Sequence, residues 1–176
     1  MAGGTGAAAL MEIRPERPED IADIRYVTEA AFLPMEHSSG TEAGIIDALR
    51  ADNALTISLV AIEDEELIGH VAFSPVAIGG RPDGWYGLGP VAVRPDSQRQ
   101  GVGEALIRKG LARLQELGAQ GCVVLGDPDY YARFGFETVS GLELPGVAPE
   151  YFQCLAFGGG RPPKGRVAYH PAFDAA

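Results

Sequence analysis

Cysteine, histidine and basic residues are scarce in this chain of 176 residues, and each shortage excludes a class of protein. Cys122 and Cys154 are too few for a disulfide framework and form no CxxC pair, so both are expected to be core residues in a reducing compartment. The three histidines, at positions 37, 70 and 170, lack metal-ligand spacing, so we expect no metal. Only 14 lysines and arginines stand against 24 acids, and the net charge of -10 argues against a nucleic-acid partner.

Long apolar runs are also missing. No run approaches the ~18 residues of a membrane span, and residues 1–10, rich in glycine and alanine, lack the basic start of a secretory signal. We therefore expect a cytoplasmic protein without membrane contact, with a disordered tail over residues 1–10. Hydrophobic residues make up 46% of the chain, which is enough for the core of one domain.

Apolar spacing and turn residues predict alternating strands and helices. The spacing of Ile21, Ile24 and Val27 indicates a first helix. Pro34 ends it. The further expected helices cover about 41–50, 101–117 and 128–134, and the expected strands cover 12–14, 58–62, 67–78 with breaks at Gly69 and Pro75, 85–93, 122–125, 136–139, 151–157 and 167–169. This order predicts an α/β (α+β) fold in which a mixed sheet carries helices on both faces.

The most informative local feature is the segment that follows the expected strand 85–93. Residues 91–93 end this strand, a polar loop follows, and Gly101 and Gly103 open a long helix. Glycine lets the backbone approach a bound group closely, and the unpaired amides of a first helical turn favour a negative charge. The segment therefore suits a pyrophosphate, and a tight strand-to-helix turn without a ligand is the alternative.

Other nucleotide and hydrolase motifs are absent. No GxxxxGK[ST] sequence occurs, which argues against a P-loop enzyme, and no GxSxG elbow or HExxH motif is present. Residues 87–92 match GxGxxA by letters, but they lead into a strand where a dinucleotide-binding motif leads into a helix.

Two segments resemble the GNAT superfamily of acyl-CoA-dependent N-acetyltransferases. Gln98-x-x-Gly101-x-Gly103 matches its Q/R-x-x-G-x-G/A signature, and residues 131–136, Y-A-R-F-G-F, are similar to its Y-x-x-L/F-G-F element. The resemblance covers roughly residues 13–157 and is closest to the bacterial YhbS-like predicted acetyltransferases. It implies a single GNAT-type domain over 11–157, with 158–176 as a C-terminal loop and strand packed on the same domain. The central sheet should splay between the fourth and fifth strands, here 85–93 and 122–125.

The resemblance also implies acetyl-CoA as cosubstrate and a set of residues that bind it. Tyr131, four residues before Gly135, would protonate the departing CoA thiolate, with a packed structural tyrosine as the alternative. Its neighbour Tyr130 is expected to be structural. The pantetheine arm would pair with Val91, Ala92 and Val93, and the pyrophosphate would contact Gln98, Arg99, Gln100, Gly101, Val102, Gly103 and Glu104, mostly through main-chain amides.

The base that deprotonates the amine is less well defined. Candidates are Glu36, His37 and Glu42 near the second helix, and His70 and Ser74 on a strand. Glu42 and His70 are the preferred contacts to substrate or base, and a surface or structural polar residue is the alternative for each.

One segment departs from the family pattern. Many relatives carry an asparagine after the strand 122–125, whereas this chain has Asp127-Pro128. We expect Asp127 to cap the helix that follows.

We therefore expect the protein to transfer an acetyl group from acetyl-CoA to a primary amine of a small molecule or peptide, by direct attack in a ternary complex. A catalytically silent acetyl-CoA sensor is the second hypothesis, and a nucleotide-binding structural domain is the third. The identity of the acceptor and the presence of a homodimer are left open by the sequence.

Overall fold

The computed structural model describes residues 11–33 and 40–175, so the tail over 1–10 and the candidates Glu36 and His37 lie outside the described residues. Short 3-10 turns join many of the elements. The helices are α1 (Ile21–Phe32), α2 (Glu42–Ala51), α3 (Val102–Glu116) and α4 (Pro128–Tyr131). The strands are β1 (Glu12–Pro15), β2 (Ile57–Glu63), β3 (Glu66–Pro75), β4 (Ala77–Ile78), β5 (Trp85–Val93), β6 (Gly121–Leu125), β7 (Leu142–Glu143), β8 (Phe152–Ala156) and β9 (Gly165–Ala168). None of the helices in these two ranges is long and apolar enough to cross a membrane.

The main sheet has six strands in the order β1-β2-β3-β5-β6-β8, and it opens in the middle. All neighbours are antiparallel except β5 and β6, which run parallel. Their pairing covers only Trp85–Gly87 against Gly121–Val123. Beyond Gly87, β5 continues to Val93 with β3 alone as its neighbour. This confirms the predicted splay between the segments 85–93 and 122–125.

Helices cover both faces of this sheet, as the sequence predicts. The side chains of β2 alternate between them: Leu59 and Ala61 pack in one cluster with α3, and Val60 packs in another with α1 and α2. Helix α3 lies close to the sheet at Gly110, where a β-carbon would stand 2.1 Å from the ring of Phe73. Glycine at this position therefore allows the close approach of helix and strand.

Two strand predictions were wrong. Gly69 does not break β3, which runs through it from Glu66 to Pro75. The close approach of α3 accounts for the glycine, since a β-carbon there would be 3.0 Å from Leu106. Residues 136–139 form only an isolated bridge between Glu137 and Cys154. The chain instead builds a second sheet of three strands in the order β4-β9-β7, which the sequence analysis did not foresee.

The C-terminal segment forms part of the second sheet and also packs on α2. Strand β9 lies between β4 and β7. The following 3-10 turn, Pro171–Ala175, packs on α2, and Ala172 shares a buried cluster with Ile45 and Leu49. The residues between β9 and this turn are thereby held next to β5.

Candidate active site

The exposed edge of β5 presents backbone groups to the space where the sheet opens. The N–H of Arg94 donates to the carbonyl of Ile68 in β3 at 2.8 Å. Ala92, two residues before Arg94, lies opposite His70 of the same strand. Because alternate residues of an antiparallel pair point to the same neighbour, Val91 and Val93 direct their N–H and C=O groups away from β3. Pro90 has no N–H, so Val91 is the first residue after this proline that offers a donor at the edge.

Beside this edge, the start of α3 forms a site suited to an anion. Gly101 is the N-cap residue with φ 83°, and no side chain caps the helix. The first helical bond runs from the N–H of Ala105 to Gly101 at 3.0 Å, so the amides of Val102 to Glu104 have no acceptor within the helix. Gln98 fixes the loop, because its Nε2 donates to the carbonyl of Val93 at 3.0 Å.

A cavity of about 580 Å³ joins the β5 edge to this helix start, and we name it the loop cavity. Most of the predicted cofactor-binding residues line it: Val91, Val93, Gln98, Arg99, Gly101, Val102, Gly103 and Glu104. Two do not. Ala92 is buried on the opposite face under α1, and Gln100 is exposed, with its amide 3.5 Å from the carbonyl of Asp96.

Two residues that the sequence did not suggest as cofactor contacts, Tyr130 and Arg133, also line the loop cavity. Tyr130, expected to be structural, places its hydroxyl 3.8 Å from the point where a β-carbon on Gly103 would stand. Arg133 stacks over the Tyr130 ring at 4.3 Å from its centroid and lies 3.6 Å from the carboxylate of Glu104. The sequence does contain one signal for this pair: residues three apart lie on the same face of a helix, so Arg133 is expected beside Tyr130.

Tyr131 points elsewhere. Its ring packs against Tyr130, Phe134 and Phe136, with centroids 5.0, 6.2 and 6.0 Å away, and it lines neither this cavity nor the second one described below. Burial raises the pKa of Tyr131 to about 12, so the phenol is protonated at neutral pH. Asp127 caps the short helix that carries both tyrosines, since its carboxylate accepts from the N–H of Asp129 at 2.9 Å, as predicted.

A second cavity of about 610 Å³, the acceptor cavity, borders the other half of the β5 edge at Leu88–Pro90. Phe32 at the end of α1 lines both cavities. Glu42, the first residue of α2, lines the acceptor cavity, as do Tyr169, Phe173 and Asp174 from the C-terminal segment, which the sequence analysis did not single out.

Tyr169 inserts where β5 and β6 begin to separate. A β-carbon on Gly87 would stand 2.4 Å from its ring, so the absence of that atom makes room for the tyrosine. Burial raises the pKa of Tyr169 well above the ordinary value.

His70 lies away from both cavities. It is fully buried on the side of the sheet that α1 and α2 cover, and its Nε2 is 2.7 Å from the hydroxyl of Ser58. That hydroxyl donates a hydrogen bond to the carboxylate of Glu16. The same carboxylate forms an ion pair with Arg50 at 2.9 Å. Burial lowers the pKa of His70 to about 4, so the ring is neutral at pH 7. The structure thus does not bring His70 together with Glu42, and Ser74 is fully buried as well.

Comparisons with known proteins agree with this geometry. Residues 21–136 match the acetyltransferase (GNAT) family. The uncharacterized N-acetyltransferase YhbS of Escherichia coli K12 is 38% identical over 170 residues, which cover 93% of this chain and 99% of that protein.

Two solved structures are similar along nearly their whole length. A GNAT acetyltransferase from Brucella melitensis in complex with acetyl-CoA has 57% identity and a TM-score of 0.85, and the match covers 94% of this chain and 99% of that one. YhbS from E. coli in complex with CoA has 37% identity and a TM-score of 0.84, with 95% and 93% covered. The chain therefore belongs to the acetyltransferase (GNAT) family, as an N-acetyltransferase that resembles YhbS.

Proposed function

We propose that this protein transfers an acetyl group from acetyl-CoA to a primary amine by direct attack in a ternary complex. One observation carries the proposal: two cavities meet along the same exposed edge of β5 and share Phe32. One cavity offers helix amides and guanidinium groups to an anion, and the other holds carboxylates suited to an amine. The Brucella relative with acetyl-CoA and the E. coli relative with CoA support this choice of cosubstrate.

The residues of the loop cavity fit a pyrophosphate. The amides of Val102, Gly103 and Glu104 point out of the helix start, where the helix dipole favours negative charge. A β-carbon on Gly103 would make only ordinary contacts, at 3.7 Å to Val93 and 3.8 Å to Tyr130. Packing within the protein therefore does not require glycine at position 103. A group bound close to the backbone would require it, which favours a bound group over a ligand-free turn. The pantetheine arm would lie along Val91 and Val93.

The chemistry requires a nucleophile, an oxyanion donor and a proton for sulfur. The neutral amine forms a bond to the acetyl carbon, and the N–H of Val91 would stabilise the oxyanion that develops on the carbonyl oxygen. When the intermediate collapses, the C–S bond breaks, the sulfur takes a proton and the amide nitrogen loses one. We propose Tyr131 as the proton donor because it matches the family's tyrosine position and its phenol carries a proton at neutral pH, although its ring lines neither cavity in this structure.

Glu42 would contact the amine at the acceptor side. An alkylammonium has a pKa near ~10.4 and must lose a proton before it attacks. A carboxylate beside the cavity attracts the ammonium cation. The proton that the ammonium loses can then pass on to water. We therefore propose Glu42 as a substrate contact and assign no base.

We propose the cytoplasm as the location of this activity. Both cysteines are free and buried, as in a reducing compartment. Fractionation of cells with an antibody against the chain would test this location.

Calorimetry with acetyl-CoA, followed by thiol release with a panel of amines, tests the function. We expect acetyl-CoA to bind and thiol release above the rate without amine for at least one acceptor. If acetyl-CoA binds and no acceptor of any class releases thiol, the sensor hypothesis replaces the enzyme. If acetyl-CoA does not bind, the whole proposal fails.

A further inference from the structure

We infer that the acceptor cavity selects a primary amine carried on an apolar body that has no acidic group. The inference rests on the proposed function and narrows its substrate class. It is based on the walls of the acceptor cavity, on the charges at its edge, and on the segment of chain that builds it.

The walls of the acceptor cavity are mostly apolar. Apart from Glu42, Tyr169 and Asp174, the described residues that line it are glycine, alanine, proline, aliphatic or phenylalanine. Tyr169 and Phe173 form an aromatic pair with centroids 5.1 Å apart. A cavity of about 610 Å³ has the size of an ordinary small-molecule site. An apolar side group of the acceptor would thus be removed from water on several sides.

Among the described residues that line the cavity, the charged side chains have one sign. Glu42 and Asp174 are both acids, and no lysine or arginine is among the described residues that line the cavity. The positive charge of an ammonium is therefore matched, whereas a carboxylate or phosphate on the same molecule would be repelled and would lose water without gaining a partner. This disfavours free amino acids and phosphorylated amines.

The aromatic pair and one of the acids of this cavity lie outside the part of the chain that the family model matches. Tyr169, Phe173 and Asp174 follow the matched residues 21–136. The residues proposed for cofactor binding lie within that range. The C-terminal segment therefore adds an aromatic surface and an acid to the acceptor cavity, next to Glu42, whereas the proposed cofactor contacts all come from the shared part of the fold.

Three related amines test the inference. 2-Phenylethylamine has the apolar body alone, L-phenylalanine adds a carboxylate, and phenylalaninamide adds an uncharged amide of similar size. Binding is measured by calorimetry with the CoA-loaded protein, and kcat/KM by thiol release. We expect phenylethylamine and phenylalaninamide to exceed phenylalanine at least tenfold in both measurements. Equal values for all three amines, stronger binding of phenylalanine than of phenylethylamine, or no binding of phenylethylamine would each overturn the inference.

Two variants assign the effect to the cavity. Asp174 is exposed, so Asp174→Lys leaves the fold intact, and it should lower the preference for phenylethylamine over phenylalanine at least tenfold. Glu116→Gln changes charge on the distant part of α3 and should leave that preference unchanged. If Asp174→Lys leaves the preference unchanged, Asp174 does not select the acceptor and the inference fails.

Failure of this inference differs from failure of the proposed function. Without acetyl-CoA binding or transfer to any amine, the proposed function fails. With binding and transfer that favour anionic or strongly hydrophilic amines, only the inference about the acceptor fails.

Discussion

Replacing Gly103 by alanine separates what the fold needs from what the cofactor needs at the start of α3. A β-carbon there would lie 3.7 Å from Val93 and 3.8 Å from Tyr130, which are ordinary van der Waals distances. Gly103 is also helical, and alanine is preferred to glycine in helices by about 0.5–1 kcal/mol. We therefore expect the cofactor-free Gly103→Ala variant to be as stable as the wild type or more stable, by up to about 1 kcal/mol.

Binding of acetyl-CoA should change in the opposite direction. The added methyl group would stand in the loop cavity beside the amides of Val102 and Glu104, where a phosphate oxygen is proposed to lie. Loss of one hydrogen bond to a charged group costs about 1.5–3 kcal/mol. We therefore expect the Kd for acetyl-CoA to rise roughly tenfold to 150-fold.

Urea denaturation of the cofactor-free proteins and calorimetry with acetyl-CoA provide the two measurements. Gly44→Ala is the matched control: Gly44 is in α2, a β-carbon there meets nothing within 4 Å, and it lines neither cavity. It should gain similar stability with an unchanged Kd. An unchanged Kd in Gly103→Ala would refute the placement of the pyrophosphate, and a clear loss of stability would refute the steric argument.

Three further predictions concern the core, its response to pH and the proton donor. Gly110→Ala places a methyl group 2.1 Å from the buried ring of Phe73, and overpacking of this kind costs about 1–3 kcal/mol; a lower thermal midpoint, partly restored by Phe73→Leu, checks this. His70 has a folded pKa of about 4 against ~6.5 when unfolded. Only the unfolded chain takes up this proton as the pH falls from 7 to 5, so stability should drop by about 2 kcal/mol. His70→Leu should flatten this part of the urea-midpoint profile; an unchanged slope would contradict the burial argument. Tyr131→Phe should lower kcat about 100-fold or more with an unchanged Kd for acetyl-CoA, and Tyr130→Phe should mainly raise that Kd; the reverse pattern would move the proton donor to Tyr130.

The cofactor half of the site could be predicted because its signals are contiguous. The end of β5, the loop and the start of α3 all lie within residues 91–104, and glycine spacing reports the helix start directly. The side chain of Ala92 does not line the cavity because side chains alternate along a strand, so it faces away from those of Val91 and Val93. Gln100 could not be judged in this way, because a loop has no period.

The roles of Tyr130 and Tyr131 could not be separated from the sequence. Helix α4 has only four residues and continues as a 3-10 turn over Ala132–Phe134. With so few residues, neither helical period fixes which face meets α3. The contact of Tyr130 with Gly103 depends on how this short element packs, which is a tertiary property.

The acceptor half is non-local, and for that reason it escaped prediction. Its walls come from the ends of α1 and β6, the start of α2, the middle of β5, residues 144–145 and residues 167–174. These segments are far apart in the chain, and no local pattern states that they meet. Only Glu42 was selected, because the second helix was expected to border the acceptor.

The opening of the sheet and the wall of the acceptor cavity depend on the same position. Gly87 is the last residue of β5 that pairs with β6, and it is also where the ring of Tyr169 enters. A side chain at position 87 would have to displace that ring, whereas glycine lets Tyr169 occupy the space next to the point where the strands separate. The exposed edge proposed to hold the cosubstrate and the aromatic wall proposed to hold the amine therefore begin at one glycine, which places the two reactants side by side along β5.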